Sequence, residues 1–202
     1  LQVKLFRLTR FAGVCTYGSG ERGAEVCHQL QRVVGAVGEG NQFVDGLEAA
    51  VRQTARRLYD DWFEKYPPPN RPTLGLLLGG VTSARTARAV LFPSELDFAP
   101  HPAVTGFMAG GVPQYATYLV HRFYDKSKPV TALASLAEYI INETASQDPK
   151  VGGAVKIALI TADRGYEELS PQAVENIRCR NESASSALRE SFYRTGGDNS
   201  GL

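Results

Sequence analysis

Nine consecutive residues, Thr73 to Val81, read Thr-Leu-Gly-Leu-Leu-Leu-Gly-Gly-Val and carry no charge. A strand with one face in water alternates apolar and polar side chains. A continuous apolar run leaves no side for water. The segment is therefore a strand buried on both faces, and such a strand needs a layer above and a layer below.

The rest of the chain supplies material for those layers. Residues 3–9 alternate, with Val3, Leu5 and Leu8 apolar and Lys4 and Arg7 charged, which reads as a strand. Arg10 turns the chain, and Phe11 to Tyr17 reads as a second strand. After Gly18-Ser19-Gly20, helical spacing of Ala24, Cys27, Leu30 and Val34 predicts a helix from about Glu21 to Val34. Gly35 to Asn41 is a glycine-rich break. A longer helix is expected from Phe43 to Tyr66, stopped by Pro67-Pro68-Pro69. Ala87 to Phe92 and Val104 to Met108 read as strands, separated by a loop with three prolines. Further helices are expected at Val112 to Tyr124 and from Pro129 to Ser146. Val155 to Thr161 and Tyr166 to Leu169 form a hairpin around Asp163-Arg164-Gly165. A last helix starts at Ser170-Pro171. The order β-β-α-α-β-β-β-α-α-β-β-α implies an α+β class, with helices on the outer faces of packed antiparallel sheets. One domain is expected over residues 1–180, followed by a polar tail, 181–202, with Gly196 to Leu202 disordered.

Composition excludes several classes. Lys plus Arg is 22 and Asp plus Glu is 21, a net charge of +1, so no electrostatic case exists for nucleic acid or an anionic membrane. No apolar run approaches the ~18 residues of a membrane span. Cys15, Cys27 and Cys179 form no CxxC pair, and His28, His101 and His121 lack ligand spacing. Neither a disulfide framework, a metal site nor a cofactor is expected, and the expected compartment is the reducing cytoplasm.

One motif points elsewhere. Gly18-Ser19-Gly20-Glu21-Arg22-Gly23 spells the GxGxxG of dinucleotide sites, after a strand and opening a helix. A dinucleotide fold needs a parallel second strand within ~30 residues. Here a second helix intervenes and the next strand starts near Thr73. Glu21 and Glu25 would also meet a pyrophosphate with like charge. A sharp strand-to-helix turn is the simpler reading, with exposed backbone amides as the functional alternative. Lys4 shares a strand face with Gln2 and Phe6. A lysine on an edge strand is commonly just solvated, but beside a glycine amide it can form a base and oxyanion pairing.

Taken in order, Lys4-Leu5-Phe6-Arg7-Leu8, Ala12-Gly13-Val14 and Tyr17-Gly18-Ser19-Gly20 resemble the middle of a proteasome-type subunit of the 20S beta kind, an N-terminal nucleophile (Ntn) hydrolase. The resemblance continues through Leu76 to Val81, Phe107 to Pro113, Asp148 to Gly153, and Val155 to Thr161 with Tyr166, spanning roughly residues 2–178. It implies a four-layer αββα sandwich. It also implies threonine peptidase chemistry, in which an N-terminal Thr attacks the peptide carbonyl and its own α-amine serves as base. By that resemblance Lys4 takes the activating lysine role, Gly18 the oxyanion role and Asp148 the supporting aspartate. Gln2, Phe6, Thr16 and Gly20 line the substrate pocket. The implied partners are a peptide or unfolded protein substrate, further copies of the chain in a homo-oligomeric ring, and an ATPase.

Two departures stand out. The family has serines where this chain has Gly110 and Val151. The sequence also begins Leu1-Gln2-Val3-Lys4, and its single methionine is Met108. Thr9 and Thr16 cannot present a free α-amine. The expectation is a chain truncated at its start, lacking the nucleophile and a first β-hairpin of about 20–30 residues with its loop, and so itself inactive. Two other readings stay open: a non-catalytic ring subunit, and a non-peptidase amidohydrolase or α+β binding domain.

Overall fold

The computed structural model describes residues 4–36 and 43–194. The central strand is the one that the apolar run requires. Strand β1 (Leu5–Arg7) pairs with β2 (Ala12–Gly18), β2 with β3 (Leu74–Val81), β3 with β4 (Ala87–Pro93), and β4 with β5 (His101–Pro102). Every pairing is antiparallel. Between β2 and β3 lie α1 (Gly20–Ala36) and α2 (Glu48–Phe63), preceded by a short 3-10 turn at Val44–Gly46. Two helices passing down and back return the chain to the end it left. The next strand is therefore antiparallel to β2.

Register sorts the sheet into two faces. Thr16 lies opposite Leu76, Val14 opposite Leu78, and Leu76 opposite Phe92. These residues share one face with Phe6, Ala12 and Leu74, and they pack on Val26, Cys27 and Leu30 of α1 and on Val51, Ala55 and Tyr59 of α2. The other face carries Gly13, Cys15, Tyr17, Gly75, Leu77 and Leu91. A two-stranded sheet, β6 (Ala158–Thr161) and β7 (Gly165–Glu168), lies over its β2 and β3 part. The approach is close: a Cβ on Gly13 would come within 2.6 Å of the Tyr166 ring.

Helices α3 (Pro113–Phe123), α4 (Val130–Gln147) and α5 (Pro171–Arg194) follow. Ala134 of α4, Val174 and Ile177 of α5, and Ile157 and Leu159 form a second core beside β6. The chain is thus α+β with antiparallel sheets. Among the described residues, no helix is long and apolar enough to cross a membrane.

Two expectations change. The segment 104–108 is not a strand, and Val104 is 95% exposed. The edge of β4 is already taken by His101 and Pro102, with Ala103 donating its amide to Ala89, so the following run has no strand left to pair with. The last helix runs on through the first part of the polar tail, from Asn181 to Arg194. Asn181 donates its side-chain amide to the Ser135 carbonyl at 3.0 Å and to the buried Glu138, and Arg178 pairs with Glu182 one turn on. The break expected up to Asn41 and the disorder expected at Gly196 to Leu202 fall, for residues 37–42 and 195–202, outside the described residues.

Candidate functional site

The glycine-rich corner joins β2 to α1 in a single sharp turn. Gly18 adopts φ +82°, and a Cβ there would sit 2.2 Å from the Thr73 carbonyl oxygen. Only glycine satisfies both conditions. Ser19 donates its amide to that same carbonyl at 2.8 Å, and its own carbonyl accepts the Gly23 amide at 2.8 Å. Gly20 is the first residue of α1. The corner thus presents the start of a helix, where amides point outward and negative charge is favoured.

Lys4 is exposed beside this corner. Its carbonyl accepts the Thr16 amide at 3.1 Å. Amides alternate sides along a strand, so Gly18, two residues on, carries its amide on the β1 side as Thr16 does. Lys4 and Thr16 lie opposite each other, continuing the register of Leu5 with Cys15. Thr16 is buried beneath the first turn of α1: a Cβ on Gly23 would land 2.0 Å from its Oγ1, and that hydroxyl has no hydrogen-bond partner among the described residues. Phe6 is in the core, edge-on to His28 at 5.1 Å. Gln2 lies outside the described residues. Asp148 closes α4: its amide donates to Thr144, and its carboxylate accepts the Lys150 amide at 2.8 Å. No hydrogen bond or ion pair joins Asp148 to Lys4 or Gly18 among the described residues. The structure therefore brings Lys4, Thr16, Gly18 and Gly20 to one corner, and holds Asp148 through a turn of its own.

A residue that sequence reasoning missed lies on the opposite face of β2. The Tyr17 ring occupies room left by two glycines, since a Cβ on Gly75 would meet its Cζ at 2.0 Å and one on Gly110 its Cδ1 at 2.7 Å. Gly111 follows with φ +94°. The position that departs from the resembled family is thus a seat for an aromatic ring. Burial raises the Tyr17 hydroxyl pKa, with a smaller contribution from the charge of Glu95. The signal in the sequence was the glycine pair 110–111 and Gly75, but it became meaningful only once the fold brought them to Tyr17.

The thiols offer no nucleophile. Burial pushes Cys15 up to about 11, against a small lowering by a hydrogen bond to the Leu77 backbone, and it pushes Cys27 up to about 12. A thiol held protonated is a poor nucleophile. Cys179, on the surface of α5, is also raised, by desolvation first and then by Glu175. Among the described residues, no three His, Cys, Asp or Glu side chains come together as a metal site.

No family model and no curated protein matches the chain. Solved structures do match. Anbu (ancestral beta-subunit) from Yersinia bercovieri aligns over 98% of this chain and 86% of that one, with a TM-score of 0.71 and 14% identity. A Gly-1 mutant of Anbu from Hyphomicrobium sp. strain MC1 aligns over 96% of this chain and 84% of that one, at 0.69 and 15%. The Anbu complex from Pseudomonas aeruginosa, solved as a helical assembly, aligns over 95% and 84%, at 0.74 and 14%. The fold is therefore that of the ancestral beta-subunit (Anbu) structures. This corrects the resemblance drawn from sequence. The structural neighbours are Anbu proteins, distinct from the 20S-type subunits, and no family model or sequence match places the chain among Ntn hydrolases.

Proposed function

We propose that the chain is a subunit of a homo-oligomeric, proteasome-like assembly, and that its β2–α1 corner serves hydrolysis of peptide bonds in peptides or unfolded chains. The packing is read as four layers: the α1–α2 pair, the five-stranded sheet, the two-stranded sheet, and α4 with α5. One observation carries the catalytic part. Gly18 holds φ +82° against the Thr73 carbonyl, in a strand whose neighbour carries the exposed Lys4. An amide fixed there can donate to the oxyanion of a tetrahedral intermediate. The Lys4 ammonium would favour the unprotonated form of a neighbouring amine base, since like charge disfavours a second cation. Thr16, buried under α1, does not supply the attacking hydroxyl. Gly20 would line the approach to the corner, and Asp148 would act as support from the α4 end. Self-assembly is supported by the likeness to a protein solved as a helical assembly. A cytoplasmic location is supported by three free thiols.

The test is release of fluorophore from blocked peptide amides, and cleavage of casein, by the native protein. Hydrolysis that Lys4→Ala lowers about 100-fold or more supports the reading. Unchanged hydrolysis in that variant removes Lys4 from the mechanism.

A second reading, a non-catalytic assembly subunit, is favoured by Tyr17. Its ring fills the space beside Gly110, where the resembled family carries a serine hydroxyl. An assembled native protein with no hydrolysis of either substrate selects it.

A further inference from the structure

The outer face of the α1–α2 pair carries charge in an order that helix α2 does not favour. Along α2 the exposed cations come first, Arg52, Arg56 and Arg57, and the acids last, Asp60, Asp61 and, at the C-terminal cap, Glu64. A helix dipole favours acids at the start and cations at the end. Glu48 in the first turn obeys that rule, and the rest of the face opposes it. Arg56 and Asp60 pair at 3.9 Å with the cation N-terminal to the acid, which is the weaker orientation. Asp60 and Glu64 are like charges one turn apart.

Helix α1 extends the polarity. Arg22, in its first turn, stacks on Trp62 near the end of α2 at 4.7 Å, so the two helices run antiparallel. Glu21 and Glu25 therefore join the acidic end, and Arg32 joins the basic end. Some of these charges are satisfied within the chain. Asp97 takes Arg52 at 3.6 Å and Arg56 at 3.0 Å, Arg88 takes Glu48, Arg71 takes Asp60, and Arg22 takes Glu25. Among the described residues, Arg32 at the basic end and Glu21, Asp61 and Glu64 at the acidic end have no ion-pair partner, and Arg57, one turn before Asp61, lies between the ends. Lys65 is the remaining cation at the acidic end.

We propose that this face docks a second copy of the chain about a two-fold axis, with the basic end of each copy on the acidic end of the other. A two-fold contact uses one patch twice, so the patch must complement itself when turned end for end. A face that is basic at one end and acidic at the other does so. Arg22 stacked on Trp62 provides an aromatic anchor of the kind that dominates contact energy. The inference rests on the proposed self-assembly and names its surface.

The test is a charge swap read by sedimentation velocity on the full chain, with circular dichroism to check folding. One variant carries Arg32→Glu and Arg52→Glu; the other carries Asp61→Lys and Glu64→Lys. Each alone is expected to raise the dimer Kd about 100-fold, since like charges then face each other. Mixed one to one, they are expected to restore association, because both ends are again complementary. Raising salt from ~0.05 to ~0.5 M is expected to weaken the wild-type contact. If the wild type assembles and both variants assemble equally well, this surface is wrong while self-assembly stands. If the wild type is a monomer at all concentrations, self-assembly fails and this surface fails with it. Loss in each variant without recovery on mixing overturns the end-to-end arrangement.

Discussion

The ring of Tyr17 is seated on the bare Cα of Gly110, and a methyl group added there would reach 2.7 Å from Cδ1. A Gly110→Ala variant is expected to lose about 1–3 kcal/mol to overpacking. In a Tyr17→Ala background the same change is expected to cost less than about 0.5 kcal/mol, because the clash has gone. Urea denaturation of the four proteins checks this double-mutant cycle. Equal costs in both backgrounds would separate the two residues.

Glycines in this chain are expected to divide sharply by environment. At Gly18 a side chain meets both a left-handed φ and a carbonyl oxygen at 2.2 Å, so Gly18→Ala is expected to destabilise by about 3 kcal/mol or more. At Gly35, in the last turn of α1, a Cβ has nothing within 4 Å among the described residues, so Gly35→Ala is expected to stabilise by about 0.5–1 kcal/mol. Thermal melts of the two variants should move in opposite directions. A small effect at Gly18 would mean that the corner relaxes and that its amide is not held in place.

Much of this was legible in the sequence because the signals were local. The apolar run from Thr73 announces a strand covered on both sides, and it is the central strand of the sheet. The strand–glycine–helix corner follows from Gly18 to Gly20 alone. The apolar segment 104–108 misled because hydrophobicity does not say whether a partner edge is free, and β4 had already paired with His101 and Pro102. The helix beyond Asn181 was hidden because its anchor, Asn181 to Ser135 and Glu138, joins residues more than 40 positions apart. The seat of Tyr17 was hidden for the same reason, since Gly75 and Gly110 come from distant segments.

Alkaline pH is expected to weaken the fold. Folding raises Cys15 to about 11 and Cys27 to about 12, from an ordinary 9.0, chiefly by burial. The folded thiols keep their protons after those of the unfolded chain have left. Their contribution is therefore intact below about pH 9 and is lost as pH rises towards 11–12. Tyr166, raised to about 12 by burial and then by Glu168, acts in the same direction above pH 10. Urea midpoints measured at pH 8, 9.5 and 10.5 should fall progressively, and less steeply in Cys27→Ala. A thiol reagent at pH 8 should label Cys179 and leave Cys27 untouched in the native protein. Labelling of Cys27 without unfolding would contradict the burial argument.

The most direct test of the catalytic corner is a crystal structure of the native protein after treatment with a peptide boronate, whose tetrahedral adduct imitates the hydrolytic intermediate. The account predicts a boronate oxygen about 2.7–3.1 Å from the Gly18 amide nitrogen, on the β1 side of β2 and beside Lys4. An adduct seated elsewhere, or a Gly18 amide committed to a carbonyl of the protein itself, would contradict it.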